Sequence, residues 1–112
     1  IERCAVWLKD IQSPALKVSL LEGVTSIGHY AFSDVTNLES VELPNSLTSI
    51  GHYAFNTNVN LTTVIVNRDT PATVGMRVFD TCNALQNIYV PESAVETYKN
   101  EWTEYADKIK PL

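Results

Sequence analysis

Basic residues are few in this chain, and nowhere does the sequence concentrate them. Eight Lys and Arg residues stand against 13 Asp and Glu residues, which gives a formal net charge of −5. A protein that binds nucleic acid or an anionic membrane surface needs a basic patch to neutralise phosphates, and the sequence contains none. No apolar run approaches the roughly 18 residues that cross a bilayer. We therefore expect no nucleic-acid partner and no direct membrane insertion of this segment.

Catalytic motifs are lacking as well. The chain has two histidines, which stand in duplicate contexts, and four glycines, which form neither a phosphate-binding loop nor a Gly-x-Ser-x-Gly turn. Glu39 and Glu42 are three residues apart on a predicted strand, so their side chains point to opposite faces. We expect that the protein is not an enzyme and that it carries no cofactor.

What the sequence does contain is a repeat of 23 residues. The octapeptide at residues 25–32 returns letter for letter at residues 48–55, and with one residue inserted the same frame continues to residue 90 as a diverged third copy. Self-similarity at a period of roughly 20 to 29 residues, with aliphatic residues at matching offsets, indicates a leucine-rich-repeat solenoid. We predict an α/β repeat fold, a short right-handed solenoid with parallel strands, helical turns on the opposite side and a helical C-terminal cap.

Each repeat reads as two extended pieces joined by a corner. In residues 38–43 apolar and polar residues alternate, as in a half-buried strand, and Pro44 ends that strand. After a second extended piece, Gly51 is expected to supply the backbone freedom that a corner needs. Phe55 then points inward, so that neighbouring copies build one continuous core.

We expect a single domain over residues 1–112. Counting backwards by the repeat, Ala15 takes the core position that Leu38 holds one copy later, and the repeat does not continue before it. The parts of the domain are a helical N-terminal cap, a repeat region and a C-terminal helical cap, at residues 1–14, 15–91 and 92–112.

The C-terminal cap carries its own helix signals. Ser93 and Glu96 form a capping box that is expected to open a helix. Apolar residues then follow in steps of three and four, which indicates one face of a helix or of two short helices laid across the last repeat. These residues are Val95, Tyr98, Trp102, Tyr105 and Ile109.

Two types of candidate metal or redox residue are scarce. Cys4 and Cys82 lie several predicted strands apart, at roughly 4.8 Å per strand, whereas bridged cysteines need Cα atoms within about 7 Å. We predict two free thiols, with Cys82 acting as a small buried hydrophobe. His29 and His52 share an offset, but zinc needs about four ligands and Met76 takes this offset in the third copy. We expect exposed corner residues and no metal site.

The unit at residues 38–55, Leu-x-x-Val-x-Leu-Pro-x-x-Leu-Thr-x-Ile-Gly-x-x-Ala-Phe, resembles the BspA-like leucine-rich repeats of the Treponema pallidum type. The segment from Phe79 to Leu85 is similar to the Phe-x-x-Cys-x-x-Leu of that family, and the tail resembles the closing segment of Bacteroides members. The resemblance covers about residues 15–112. It implies a non-enzymatic bacterial protein at the cell surface or outside the cell, and several members are regarded as adhesins for host matrix proteins or other bacteria.

The candidate binding residues follow from strand alternation. If Val41 and Leu43 point inward, the residue between them points outward, and the same holds in each copy. The outward rows are Ser19, Glu42, Ile65 and Tyr89, and beside them Lys17, Ser40, Thr63 and Asn87. Solenoids use such stacked faces for binding. Ile65 and Tyr89 are the large apolar members and mark either a contact patch or β-forming residues that the C-terminal cap covers.

The leading hypothesis is a non-catalytic protein–protein interaction or adhesion module of a surface or secreted protein, with a host matrix protein or another bacterial surface protein as partner. Three copies are few for an adhesin, so a passive terminal or spacer module stays open. Glycan binding through Tyr89, beside Asn87 and Thr63, is a third hypothesis. An adhesive face predicts that Ile65 and Tyr89 are exposed, whereas a spacer predicts that they are covered.

Overall fold

The computed structural model describes residues 15–112, so the predicted N-terminal cap and Cys4 lie outside the described residues. The strands are β1 (Leu16–Ser19), β2 (Ser26–Ile27), β3 (Leu38–Leu43), β4 (Ser49–Ile50), β5 (Thr63–Val66), β6 (Thr73–Val74), β7 (Asn87–Val90) and β8 (Ile109–Pro111). Within residues 15–112 a single α-helix, α1 (Val95–Glu101), lies between 3-10 helices at Glu92–Ala94 and Thr103–Lys108.

Parallel pairing joins the strands into two sheets, ordered β1-β3-β5-β7-β8 and β2-β4-β6. The register follows the repeat, because Val18 pairs with Val41 and Val41 pairs with Val64. Across the inserted residue, Ile50 pairs with Val74. The predicted repeat solenoid with parallel strands is therefore confirmed.

A column of phenyl rings runs through the core. The ring centroids of Phe32 and Phe55 are 5.3 Å apart, and those of Phe55 and Phe79 are 5.6 Å apart. All three side chains are buried, which confirms that Phe55 points inward. Tyr105 closes the column edge-on at 5.2 Å. Each ring depends on the ring of the next copy, which is why one unit cannot form a core by itself.

A buried amide ties the first two copies together. Asn58 is fully buried, and its Oδ1 accepts the N–H of Val35 at 2.7 Å. Its Nδ2 donates to the carbonyls of Phe32 and Phe55 at 2.9 and 2.8 Å. A buried amide left unpaired costs about 1–3 kcal/mol, so these bonds favour one arrangement of the copies. Cys82 holds the same offset in the third copy, and its Sγ donates to the Phe55 carbonyl at 3.0 Å.

The segment after the second strand of each repeat is a run of turns, where the sequence predicts a helical turn. Tyr30 and Asp34 both have a φ of +59°, in the left-handed region. The same offsets recur in the later copies with left-handed Tyr53, Thr57, Arg77 and Thr81. These turns direct their amides along the solenoid instead of along a helix, since the N–H of Tyr53 donates to the Met76 carbonyl at 2.9 Å.

Gly51 is required for a different reason from the one expected. Its φ is not in the left-handed region, so a corner does not demand glycine there. A Cβ on Gly51 would lie 2.7 Å from the backbone nitrogen of His29 and 2.8 Å from its Nδ1. A Cβ on Gly75 would lie 2.7 Å from the nitrogen of His52. Gly51 and Gly75 are glycines because successive copies approach one another too closely at these positions for any side chain.

The first strand differs from the expected register by one residue. Leu16, not Ala15, pairs with Leu38, and the register shifts between Leu16 and Lys17. Leu16 packs against the core while Ala15 is exposed. The irregularity lets the larger side chain remove more apolar surface from water.

The predicted capping box is wrong. A 3-10 turn comes first and α1 begins at Val95, and neither Ser93 nor Glu96 provides a side-chain cap to either helix. The apolar face does pack as predicted, because Tyr98 and Trp102 are buried with their rings edge-on at 4.9 Å. Short helical segments, not one long helix, carry that face.

Hydrogen bonds fix this cap on the end of the core. The hydroxyl of Tyr98 donates to the Arg68 carbonyl at 2.6 Å. The indole Nε1 of Trp102 donates to the Ala72 carbonyl at 3.1 Å. Each aromatic residue thus combines apolar burial with a satisfied polar atom.

The final residues form a strand where the sequence predicts helix. Ile109 lies in β8, which pairs with β7 so that Lys110 is beside Tyr89. The N–H of Ile109 donates to the Ala106 carbonyl, and Pro111 has no N–H. The outer edge of β8 is therefore poor in free donors, which protects it from pairing with a further strand.

Candidate functional site

The eight candidate residues lie in two registered rows on the outer side of the larger sheet. One row is Ser19, Glu42, Ile65 and Tyr89, and the other is Lys17, Ser40, Thr63 and Asn87. The alternating residues Val41, Leu43 and Val64 are buried. We call the two rows the strand face. Their positions follow from the register, and a binding role for them remains a prediction.

At the polar end of the strand face, which β1 and β3 form, side chains of successive copies are joined by hydrogen bonds. The hydroxyl of Ser19 donates to Oε1 of Glu42 at 3.4 Å, and Nδ2 of Asn67 donates to Oε2 of Glu42 at 2.7 Å. Lys17 lies 4.0 Å from Glu39, with both side chains exposed, so this ion pair contributes little. Glu42 is thus a positioned carboxylate at this end of the row.

Lys110 extends the strand face by a fifth strand, and sequence reasoning missed it. Its Nζ donates to the Gln86 carbonyl and to Oδ1 of Asn87, both at 2.7 Å. In the sequence, a strand at Lys110 is indicated only by the alternation of apolar and polar residues over the three residues of Ile109–Pro111. The helical spacing that reaches Ile109 outweighed it. The row that contains Tyr89 therefore ends at Lys110, and the ammonium group of Lys110 lies beside Asn87 of the other row.

Ile65 and Tyr89 are half-buried, so neither the exposed nor the covered expectation is met in full. Neighbouring strands at about 4.8 Å shield the sides of any residue inside such a row. Thr63 and Asn87 are half-buried too, whereas Lys17 in the edge strand β1 is exposed. The hydroxyl of Tyr98 and the indole of Trp102 donate to the carbonyls of Arg68 and Ala72, neither of which belongs to these rows.

The two histidines link copies through hydrogen bonds. The rings of His29 and His52 are stacked at 4.6 Å and 8°. Nδ1 of His29 accepts the His52 N–H at 2.8 Å, and Nδ1 of His52 accepts the Met76 N–H at 2.7 Å. Occupied Nδ1 atoms and parallel rings do not converge on one ion, as zinc requires. Within residues 15–112 no three His, Cys, Asp or Glu residues are grouped to hold a metal.

A second exposed feature lies beside these histidines and was not singled out from the sequence. The rings of Tyr30 and Tyr53 stack at 5.2 Å and 5°, and the hydroxyl of Tyr53 lies 4.0 Å from the sulfur of Met76. Tyr30 is 45% exposed and Met76 is 59% exposed. The signal was available in the letter-for-letter repeat, because identical residues at one offset must align on one surface.

The Cys82 thiol is a packing group. Burial raises its pKa to about 11, which keeps it protonated near neutral pH and unreactive as a nucleophile. It lines a hollow of about 240 Å³ together with Arg77, Asp80 and Glu104, and that lining includes no histidine to act as a base. The predicted free, buried thiol is confirmed for Cys82.

The repeat region matches a known protein family. The family model described as BspA type Leucine rich repeat region (6 copies) matches residues 12–110, which include both rows of the strand face. No curated protein matches the chain at a significant level. Among the described residues, no helix has the length and hydropathy to cross a membrane.

Proposed function

Because the chain belongs to the BspA-type leucine-rich-repeat family, we propose that it is a protein-binding module with an adhesive role on a bacterial cell surface or outside the cell. Leucine-rich repeats generally mediate protein–protein interaction, and this family is typically non-catalytic and surface-located or secreted. The proposed partner is a protein, such as a host matrix protein or another bacterial surface protein.

The observation that carries this proposal is the composition of the strand face. Ile65 and Tyr89 are direct neighbours across β5 and β7, and in register they lie between Glu42 and Lys110, whose ammonium group reaches Asn87 in the neighbouring row. An apolar centre within a polar, charged rim is the usual anatomy of a protein interface. Tyr is also enriched among the residues that dominate binding energy.

A protein partner is favoured over the two other hypotheses on physical grounds. Sugars bind to open aromatic faces, but the rings of Tyr30 and Tyr53 cover one another, and Tyr89 is the single aromatic residue in the rows of the strand face. A passive spacer would present a polar row without distinguishing features. The adjacent apolar pair at Ile65 and Tyr89 does not fit that description.

The test is a titration of the purified domain against immobilised host matrix proteins and a glycan panel. The Ile65→Glu/Tyr89→Ala double variant places a charge in the apolar centre and removes the ring. The matched control is Val59→Glu, which places the same charge at another exposed apolar position. Circular dichroism confirms that all three proteins are folded before binding is compared.

We expect saturable binding to a protein, weakened about 30-fold or more by the double variant, as for a hot spot of at least about 2 kcal/mol. The Val59→Glu control should bind like the parent. Equal binding by parent and double variant would remove the strand face from the proposal. Binding to glycans alone would favour the glycan hypothesis, and no binding by any protein would favour the spacer.

A further inference from the structure

The run of turns in each repeat carries a row of backbone N–H donors that point along the solenoid to the next copy. Every second residue of the run donates, and the acceptor is always a backbone carbonyl, at 2.8–3.0 Å. The donors are Tyr30, Phe32, Asp34, Tyr53, Phe55 and Thr57, and their acceptors are His52, Ala54, Asn56, Met76, Val78 and Asp80. Each row of three donors therefore binds a short stretch of main chain by its carbonyls.

In the third copy the same row has no further copy to bind. Its donors are Arg77, Phe79 and Thr81, and the φ values of +49° at Arg77 and +58° at Thr81 repeat the left-handed backbone of the earlier turns. The N–H of Phe79 donates to the hydroxyl of Tyr105 at 3.4 Å. Within residues 15–112, the N–H groups of Arg77 and Thr81 have no acceptor. Two donors that the earlier copies use for main-chain binding are thus left for a ligand.

The hollow of about 240 Å³ that Cys82 lines is found at this row. Its lining includes the three donor residues of the third copy, and from the cap it includes Glu104, Tyr105 and Lys108. We call this feature the end hollow. A ligand in the end hollow would be held between the last turn run and the 3-10 helix at Thr103–Lys108.

Tyr105 adds a third donor to the end hollow. Its hydroxyl accepts the N–H of Phe79, so its own proton is left to donate, and no group in the described chain accepts that proton. Burial raises the pKa of Tyr105, so the hydroxyl keeps this proton at neutral pH. The ring is fixed edge-on to Phe79 at 5.2 Å. The end hollow therefore offers donors from Arg77, Tyr105 and Thr81, where each earlier copy offers three N–H groups.

The charges around the end hollow favour a neutral acceptor. Arg77 and Lys108 contribute two positive charges, and Asp80 and Glu104 contribute two negative charges. The attraction and the repulsion that an anion would meet largely cancel. A backbone carbonyl is neutral, and an extended polypeptide presents carbonyls on one side at every second residue. The donors of the row also recur at every second residue.

We propose that the end hollow binds a short main-chain segment of a protein partner. Backbone carbonyls of the segment accept from the N–H groups of Arg77 and Thr81 and from the hydroxyl of Tyr105. The segment takes the place that the turns of a following copy take in the earlier repeats. Such binding resembles the addition of a peptide strand to a sheet edge, where main-chain hydrogen bonds supply the affinity.

The size of the end hollow limits the segment. Its volume of about 240 Å³ is below the range of about 300–1,000 Å³ that small-molecule sites usually have. The segment must therefore be short, and its residues must carry small side chains, such as those of Gly, Ser and Ala. This site is separate from the strand face, so it goes beyond the proposed function and does not depend on the outcome of the strand-face test.

Nuclear magnetic resonance of the isotope-labelled domain tests the proposal, because it observes the two donor amides directly. The probe is the neutral peptide acetyl-Gly-Ser-Gly-Ser-Gly-amide, and sodium acetate and sodium phosphate are the anionic alternatives. Asn83→Trp fills the end hollow, and Tyr105→Phe removes the hydroxyl donor. Val59→Trp is the matched control, since Val59 holds the offset of Asn83 one copy earlier, is exposed and does not line the end hollow. Circular dichroism establishes that each variant is folded.

The expected result is a saturable shift of the amide signals of Arg77 and Thr81, with a dissociation constant of about 1–10 mM for so short a peptide. The amides of Tyr53 and Thr57 are already bonded to the third copy and should not move. Acetate and phosphate should shift the two donor amides less than the peptide does at equal concentration.

Asn83→Trp should weaken peptide binding about 10-fold or more, and Tyr105→Phe about 3- to 10-fold, whereas Val59→Trp should bind like the parent. Unmoved signals of Arg77 and Thr81 at about 50 mM peptide would overturn the proposal. So would binding that either Asn83→Trp or Tyr105→Phe leaves unchanged, or that Val59→Trp weakens equally. Tighter binding of acetate or phosphate at the same two amides would show that the end hollow takes an anion and would refute main-chain recognition.

Discussion

Replacing Phe55 by alanine tests the core that this repeat builds. Phe55 has no exposed surface, and its ring lies between those of Phe32 and Phe79 at centroid distances of 5.3 and 5.6 Å. The substitution therefore removes the middle ring of the column and leaves a cavity with rings on both sides. The stacked backbone on either side limits how far the site closes.

The expected loss follows from these contacts. Truncation of a buried Phe to Ala costs about 3–5 kcal/mol through lost transfer energy and the cavity. Each lost aromatic pair adds about 0.5–1.5 kcal/mol, so the upper part of that range applies to Phe55. A domain of this size has about 5–15 kcal/mol of stability, so the variant should be folded marginally or not at all. Phe55→Leu keeps most of the volume and should lose about 1–2 kcal/mol.

Urea unfolding followed by far-UV circular dichroism measures these differences. Tyr53→Ala is the matched control, because Tyr53 also stacks on a neighbouring ring but is only half-buried. We expect a loss of at most about 1 kcal/mol for this control. A loss below about 1 kcal/mol for Phe55→Ala, or one equal to that of Tyr53→Ala, would refute the argument that the phenyl column is the core.

Three further predictions concern close approach, backbone strain and titration. Gly51→Ala should lose about 1–3 kcal/mol in urea unfolding, because its Cβ meets His29 at 2.7 Å; an unchanged midpoint would contradict this. Thr57→Asn should gain about 0.5–1 kcal/mol, since Thr57 holds a φ of +60° that Asn tolerates better; a loss would exclude strain. Burial raises the pKa of Cys82 to about 11, whereas an unfolded thiol titrates near about 8.5, so stability is full below that pH and falls as pH rises toward 11. Cys82→Ala should reduce this alkaline fall, and an identical pH profile would argue against it.

The repeat period predicted strand pairing and side-chain direction correctly wherever a residue has an equivalent in the next copy. The pairing of Val41 with Val64 and the inward position of Phe55 follow from offsets alone, because parallel stacking keeps equivalent residues at equal heights. The positions of Ile65 and Tyr89 in one row follow in the same way. The offsets give the positions of these residues but do not show whether the row binds a partner.

Periodicity failed where the chain leaves the repeat. The helical spacing reaches Ile109, yet from that residue on β8 forms, because β7 offers an unpaired edge. A local pattern does not report an open sheet edge built by residues 21 positions earlier. The repeat offset likewise does not show the register shift between Leu16 and Lys17, which puts Leu16, not Ala15, on the core.

The sequence by itself determined the period, the parallel stacking and the inward aromatic column, since these depend only on which residue types recur and at what spacing. Tertiary structure alone decided why Gly51 is glycine, why Tyr30 and Tyr53 adopt left-handed backbones and where Lys110 lies. Each of those depends on how closely one copy approaches another and on which backbone groups that contact leaves to be paired. Such distances arise only when the copies are stacked.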